Sequence, residues 1–206
     1  MLDRAALALL APALRGLARP IARAGIGADA LTLAGFAAGL AGAGAIALNR
    51  PLAGLLLILA SRALDGLDGA VARLGTPTDR GAVLDIALDF LFYASIPLAF
   101  AIADPAANAL AGAVLLAAFI GTGSSFLAFA VLAERRGIAN PRLPSKGFYY
   151  LGGLTEATET LTCFVLMCLW PALFPVWAYG FAGLCAATIA TRLWAGWRVL
   201  GDTTPR

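Results

Sequence analysis

The sequence predicts an all-α integral membrane protein with six transmembrane helices, preceded by an amphipathic helix that lies at the membrane interface. Of its 206 residues, 61% are hydrophobic and 13% charged, against about 25% charged in an ordinary soluble domain. The mean hydropathy is +0.85. A spanning helix needs roughly 20 apolar residues. Five stretches carry no charge, and several of them are long enough: 30–49, 51–61, 90–103, 105–133 and 160–191.

This composition excludes a soluble enzyme, a disordered protein and a nucleic-acid partner. The chain has no histidine, so any catalysis rests on carboxylates, Lys, Tyr or Cys. Its three cysteines lie in apolar stretches without C-x-x-C spacing. They are interpreted as small buried hydrophobic residues rather than as a disulfide or zinc framework.

The first element covers residues 1–24, where an apolar run is interspersed with Arg4, Arg15, Arg19 and Arg23. A basic amphipathic helix on anionic lipid explains this mixture. A cleaved signal peptide is the alternative, but the arginines continue where its cleavage site would lie.

Six spans follow within one membrane domain, 1–206. Asp29 is expected to cap the first helix, and Asn49-Arg50-Pro51 to end it. Pro171 and Pro175 divide the last apolar run, which is too long for one span. The predicted spans are 30–48, 52–73, 81–103, 106–133, 147–169 and 176–199.

The positive-inside rule orients these helices. With both termini in the cytoplasm, loops 74–80 and 134–146 are cytoplasmic too, and the outer connections hold only Arg50 and Asp104 as charges. The predicted location is the inner (cytoplasmic) membrane, with membrane lipid as a partner.

Four aspartates lie within the second and third spans, where ionisable residues indicate a functional site. Asp65 and Asp68 are three residues apart, and Asp85 and Asp89 four apart, so each pair shares a helix face. The short turn 74–80 predicts antiparallel neighbouring helices. By helical rise, the pairs lie about 6–10 and 6–12 Å below their helix ends. The acids should therefore meet near the cytoplasmic side.

Four carboxylates in a small volume repel one another unless cations intervene. Oxygen-only ligands favour hard divalent ions such as Mg²⁺, Mn²⁺ or Ca²⁺, and two such ions suit phosphoryl transfer. The alternative is that the acids pair with Arg62, Arg73 and Arg80, or serve an ion or proton pathway.

The pattern Asp65-x-x-Asp68-Gly69-x-x-Ala72-Arg73, followed by Gly81-x-x-x-Asp85-x-x-x-Asp89, resembles the signature of the CDP-alcohol phosphotransferases. The motif covers about an eighth of the chain and fixes eight residue identities. The resemblance implies six membrane helices, a homodimer, and transfer of a substituted phosphate from a CDP-linked donor to an alcohol, with release of CMP. Asp29-x-x-Thr32 resembles the polar start of the family's first helix. Seven residues separate Arg73 from Gly81, where the family usually has eight, which affects a nucleotide-contacting turn.

The resemblance also implies roles for these residues. All four aspartates would bind two divalent cations, Mg²⁺ or Mn²⁺, and Asp89 would be the general base. The donor, CDP-diacylglycerol or a similar CDP-alcohol, would be bound by Gly69, Ala72, Arg73, Gly81 and Thr32.

The small alcohol acceptor stays open. A basic loop suits a phosphorylated alcohol, although positive-inside flanking explains the same charges: Arg135, Arg136, Arg142 and Lys146. Glu156 and Glu159, predicted about 15–20 Å into the fifth helix, suggest a polar cavity wall beside Thr155, Thr158 and Thr160. Such a wall suits an amine-bearing or polyhydroxyl acceptor.

The main hypothesis is therefore a membrane transferase of phospholipid synthesis. An ion- or proton-coupled transporter using the same acids is the alternative, although transporters often carry such charges on interrupted helices near the midplane. A catalytically inactive scaffold is disfavoured because all four acids are present. Gly35-x-x-x-Gly39 and Gly121-Thr122-Gly123-Ser124 are interpreted as helix packing rather than phosphate binding.

Overall fold

A computed structural model describes residues 2–137 and 155–201, and every regular element in these two ranges is helical. In the described ranges, a 3₁₀ turn at Pro171–Leu173 joins the last two of seven α-helices. Those helices are α1 Leu2–Arg23, α2 Ala28–Ala47, α3 Pro51–Ala72, α4 Asp79–Ala103, α5 Pro105–Arg135, α6 Ala157–Leu169 and α7 Phe174–Gly201.

Within residues 2–137 and 155–201, four segments are long and apolar enough to cross a bilayer, as expected of a multi-pass membrane protein: α2, α4, α5 and Pro171–Val199. Helix α3 has 22 residues but carries Arg62, Asp65 and Asp68 in its second half. Helix α6 is apolar but has only 13 residues. The all-helical class is confirmed for the described residues, whereas six complete spans stay a prediction.

Most helix ends lie within two residues of the predicted ones because local signals set them. Prolines occupy the first position of α3 and α5. The Thr78 hydroxyl accepts a hydrogen bond from the Gly81 N–H, and Asp104 accepts one from Ala107. The predicted cap of the first span was wrong: α2 begins at Ala28, and Asp29 lies in its first turn, where its charge favours the helix dipole.

The prediction of one continuous fifth helix over 147–169 was wrong at residues 155 and 156. Thr155 and Glu156 are not helical, and α6 begins at Ala157. Glu156 is the N-cap, and its carboxylate and that of Glu159 form a reciprocal capping box with the backbone. The two acids therefore lie at a helix start rather than deep within a helix. Residues 147–154 lie outside the described ranges.

Helix α2 packs extensively against both α3 and α4, whereas these two make little direct contact. The two acid-bearing helices therefore meet through the side chains of their acids and of Arg62 rather than through close backbone packing. The close approach depends on small residues of α2: a Cβ at Gly35 would lie 3.3 Å from Leu64 Cβ, and one at Gly39 would lie 2.5 Å from Phe92 Cδ2. These contacts confirm helix packing at Gly35 and Gly39 and leave space between α3 and α4.

Two buried clusters hold the bundle around this space. Aromatic rings dominate the larger one, where Phe92 packs edge-on to Phe164 and Phe100 stacks on Phe174 at 4.6 Å between centroids. The smaller cluster joins α1 to α2 and α3 through Ala18, which is fully buried. Helix α1 thus packs on the end of α3 that carries the aspartates.

Candidate active site

Three of the predicted aspartates converge between α3 and α4. Asp65, Asp68 and Asp85 each offer a carboxylate oxygen, and these atoms all lie within 4.8 Å of one another. Asp68 is buried, and the other two are half-buried. We call these three residues the acid triad. A set of hard oxygen ligands at this spacing fits a divalent cation.

The start of α2 supports the acid triad. Thr32 Oγ1 donates a hydrogen bond to Asp68 Oδ2 at 2.6 Å and lies 3.1 Å from the carbonyl oxygen of Ala28. Thr32 lies one turn into α2, which packs against both acid-bearing helices. The hydrogen bond therefore orients one carboxylate of the triad.

Asp89 contacts a different partner. Arg62 Nη1 donates to Asp89 Oδ1 at 2.7 Å and lies 3.4 Å from Asp65 Oδ1. The Arg62 side chain is only 13% exposed, and its Cζ lies 4.0 Å from the centroid of the Phe92 ring. The alternative that Arg62 pairs with the acids therefore holds for Asp89 and Asp65.

Arg73 and Arg80, the other two arginines proposed to pair with the aspartates, have different neighbours. Arg80 lies 3.6 Å from Asp29, and its side chain is 87% exposed, so this pair adds little stability. Arg73 curls back over Gly69, where a Cβ would lie 3.2 Å from its Nη1. Of the three arginines, Arg62 lies within ion-pair distance of Asp65 and Asp89.

A cavity of about 640 Å³ opens beside Asp68 and Asp85, and we call it the first cavity. Its walls come from the α1–α2 turn, the start of α2, the end of α3, the 74–78 turn and the start of α4. Its volume lies in the range of small-ligand sites. Four residues predicted to bind the CDP group line it, namely Thr32, Gly69, Ala72 and Gly81.

Gly81 shows why small residues matter in this wall. A Cβ at Gly81 would lie 3.2 Å from both Asp29 Oδ1 and Thr78 Oγ1. The glycine therefore leaves room where the polar starts of α2 and α4 face each other. The arrangement suits a ligand that approaches the backbone closely.

A second cavity, of about 390 Å³, begins at Asp89 and extends between α4, α5, α6 and α7. Aromatic side chains such as Tyr93 and Phe119 line much of it. Its polar groups come from Thr122, Thr155, Glu156, Thr160 and Arg192. The aspartate cluster thus borders two cavities, with Asp68 and Asp85 on the first and Asp89 on the second.

The predicted acceptor residues do not all come together. Glu156 lines the second cavity, and the carboxylate of Glu159 accepts a hydrogen bond from the backbone of Glu156. Arg135 and Arg136 lie at the exposed end of α5 and line neither cavity. Arg142 and Lys146 lie outside the described residues.

Sequence reasoning assigned no site role to Arg192. It is 8% exposed, and its Nη1 donates a hydrogen bond to the carbonyl oxygen of Thr122 at 3.0 Å. An arginine well inside the predicted sixth span was the available signal, because such charges normally face the interior of the bundle.

Comparison with known proteins decides the family. The model of the CDP-alcohol phosphatidyltransferase family matches residues 26–195, which include the acid triad, Asp89 and all residues that line the second cavity. The chain is a member of the CDP-alcohol phosphatidyltransferase family. Over 200 residues, it is 54% identical to the inner membrane protein YnjF of Escherichia coli (strain K12), and the match covers 97% of each chain.

Two solved structures share the fold of this CDP-alcohol phosphatidyltransferase. Both are of PgsA1, the phosphatidylinositol phosphate synthase of Mycobacterium tuberculosis. The structure with CDP-DAG bound is 23% identical, with a TM-score of 0.69 over 89% of this chain and 93% of the other. The complex with manganese and citrate is 24% identical, with a TM-score of 0.70, and the match covers 89% of this chain and 88% of the other. At this identity, the similarity to PgsA1 shows a shared fold. Membership of the family identifies the protein as a membrane transferase of phospholipid synthesis.

Proposed function

We propose that this protein transfers a phosphatidyl group from CDP-diacylglycerol, or a similar CDP-alcohol, to a small alcohol and releases CMP. The observation that carries the proposal is the position of the aspartate cluster between two cavities, with Asp68 and Asp85 on the first and Asp89 on the second. A transferase needs its two substrates on either side of the reacting phosphorus. A transporter does not require this arrangement.

The first cavity is the proposed site of the cytidine and its phosphates. Its volume suits a nucleotide, and glycines let the ligand approach the ends of α3 and α4. Arg73, folded over Gly69, offers a fork of N–H donors close to that wall. PgsA1, which shares the fold, has been solved with CDP-DAG bound.

The proposed metal ligands are the acid triad and Asp89, with two Mg²⁺ or Mn²⁺ ions. The triad supports this, because three oxygen ligands within 4.8 Å need positive charge between them. A divalent cation bound there supplies neutralising charge to the pyrophosphate. The fold-related PgsA1 has been solved with manganese.

Asp89 is the proposed general base. It lines the second cavity, from which an acceptor hydroxyl would approach. In the reaction, the acceptor oxygen attacks the lipid-linked phosphorus and the bond to the CMP phosphate breaks. Asp89 takes the hydroxyl proton, a role that a positioned carboxylate fills in the absence of histidine.

The acceptor is proposed to enter the second cavity, where Glu156 is the one predicted acceptor residue in the lining. Glu159 would act through the capping box that orients Glu156. Arg135 and Arg136, and with them Arg142 and Lys146, are proposed to attract a phosphorylated acceptor to the membrane surface.

The molecular setting is proposed from the charge pattern and the family. The site faces the cytoplasm, both termini are cytoplasmic, and the chain lies in the inner membrane as a homodimer. The 54% identical relative carries the name inner membrane protein, and α1 with its basic residues suits an anionic lipid surface.

An acceptor panel tests the proposal. Purified protein in detergent is incubated with CDP-diacylglycerol, Mn²⁺ and one of glycerol 3-phosphate, inositol phosphate, serine or choline, and CMP is measured. We expect CMP release that depends on one acceptor class, with the matching lipid product. Absence of CMP release with every acceptor, together with ion flux in proteoliposomes, would favour the transporter instead.

A further inference from the structure

We propose that Arg62 is a positioning residue of the aspartate cluster, and that its guanidinium holds Asp89 at the second cavity while leaving the acid triad to bind a cation. The sequence pattern of the family assigns no role to this position. The kinetic part of the inference rests on the proposed transfer reaction, whereas the part on cation binding does not.

The first step of the argument is the bridge that Arg62 makes between the two acid-bearing helices. Helices α3 and α4 make little direct contact. Arg62 Nη1 spans the gap, since it lies 2.7 Å from Asp89 Oδ1 on α4 and 3.4 Å from Asp65 Oδ1 on α3. The bridge fixes one oxygen of Asp89 and directs its carboxylate to the border of the second cavity.

The second step is that the guanidinium is itself held in place. It lies over Phe92, which is fully buried, at 4.0 Å from the ring centroid. The Tyr93 ring centroid lies 5.7 Å away, and Nη2 donates to the Ser61 hydroxyl at 3.2 Å. A planar guanidinium can stack and donate at the same time, which a lysine ammonium cannot do. The residue is thus preorganised rather than a mobile counter-ion.

The third step concerns charge. The four aspartates place four negative charges in a small volume, and Arg62 offsets part of this charge beside Asp65 and Asp89. Asp65 also offers an oxygen to the acid triad, whose oxygens lie within 4.8 Å of one another, so the guanidinium charge acts directly on the cation site. Removing Arg62 should therefore misplace Asp89 and, at the same time, strengthen cation binding.

The test compares Arg62→Gln with wild-type protein, using Arg50→Gln as the matched control at the opposite end of α3. Electron paramagnetic resonance of free Mn²⁺ measures Mn²⁺ affinity without any turnover. CMP release gives kcat and KM for the donor. In Arg62→Gln we expect Mn²⁺ to bind about tenfold more tightly, because a nearby positive charge is lost. We expect kcat to fall about 10- to 100-fold, since a misplacement of about 1 Å has such an effect, with the donor KM within about twofold.

Arg62→Lys separates positioning from charge. It should keep the Mn²⁺ affinity of the wild type, with a kcat between those of the wild type and Arg62→Gln. If Arg62→Gln does not fold, the kcat of Arg62→Lys alone tests whether Arg62 positions Asp89. A wild-type kcat in either variant, or Mn²⁺ binding that is unchanged or weaker in Arg62→Gln, would overturn the proposal. Absence of CMP release by the wild type would overturn the transfer reaction instead, while the Mn²⁺ comparison would still test the charge effect.

Discussion

Asp89 differs from the other three aspartates in its neighbours and in the cavity it faces. The acid triad shares one small volume, with Asp68 held by Thr32. Asp89 is held by Arg62 and borders the second cavity. Three of the four aspartates therefore form one compact group suited to cation binding, and the fourth, besides its proposed role as a metal ligand, faces the acceptor side.

Asp89→Asn tests this division at the residue scale. The amide keeps the size of the side chain but cannot take the acceptor's proton, so kcat for CMP release should fall about 10²- to 10⁴-fold. Mn²⁺ binding should weaken much less than in Asp85→Asn, because the triad remains. Asp79→Asn, an exposed acid of the same helix, is the control. Full activity of Asp89→Asn would contradict the assignment of the general base.

At this scale the sequence predicts which residues form the site better than it predicts which of them contact one another. The i,i+3 spacing of Asp65 and Asp68 indicates a shared face, and the structure brings Asp85 to the same group. The contact of Arg62 with Asp89 joins residues 27 positions apart. It depends on the position of the Phe92 ring, which helical periodicity does not specify.

At the scale of elements, α2 sets the distance between the two acid-bearing helices. It packs against both, and its glycines allow the close approach. The space that remains between α3 and α4 holds the carboxylates. The width of the site is therefore a consequence of how small the facing residues of α2 are.

Gly39→Ala and Gly44→Ala test the role of α2. A Cβ at Gly39 would lie 2.5 Å from Phe92 Cδ2 and 3.0 Å from Ser61 Oγ, whereas one at Gly44 meets nothing within 4 Å. Overpacking at Gly39 should lower the free energy of unfolding by about 1–3 kcal/mol, and Gly44→Ala should be neutral or slightly stabilising. Thermal unfolding in detergent measures both, and equal melting temperatures would argue against close packing at Gly39.

Helix bounds could be predicted because apolar runs, prolines and caps are local signals. The short turn 74–80 indicated that the acids of α3 and α4 meet, but not that both helices pack mainly against α2. The start of α6 was missed because residues 147–169 look like one helical segment. The capping box of Glu156 and Glu159 marks the start of α6 instead. The sequence signal for this start was the spacing of three residues between the two acids.

At the scale of the whole molecule, the helices alternate in direction and bring the charged ends of α3, α4 and α5 to one side. Arg50 and Asp104 lie at the opposite ends of these helices. The second cavity lies between α4, α5, α6 and α7, beside residues far apart in the sequence. No local pattern predicts such a cavity, although the polar residues in the apolar runs indicated some of its lining.

The orientation can be tested by cysteine labelling of α5 in intact spheroplasts. The three natural cysteines are buried, so background labelling by an impermeant maleimide should be low. Ala106→Cys and Glu134→Cys place exposed thiols at opposite ends of the same helix. Position 106 should be labelled from outside, and position 134 only after permeabilisation. The reverse pattern would contradict a cytoplasmic site.

The most direct test of divalent-cation-dependent phosphatidyl transfer is CMP release from CDP-diacylglycerol, with the best acceptor of the panel, as a function of Mn²⁺ concentration. Wild-type protein should need the cation and lose activity with a chelator. Asp85→Asn should need at least about tenfold more Mn²⁺, whereas Asp79→Asn should behave as the wild type. CMP release by the wild type that persists in chelator, or a wild-type Mn²⁺ dependence in Asp85→Asn, would contradict the account.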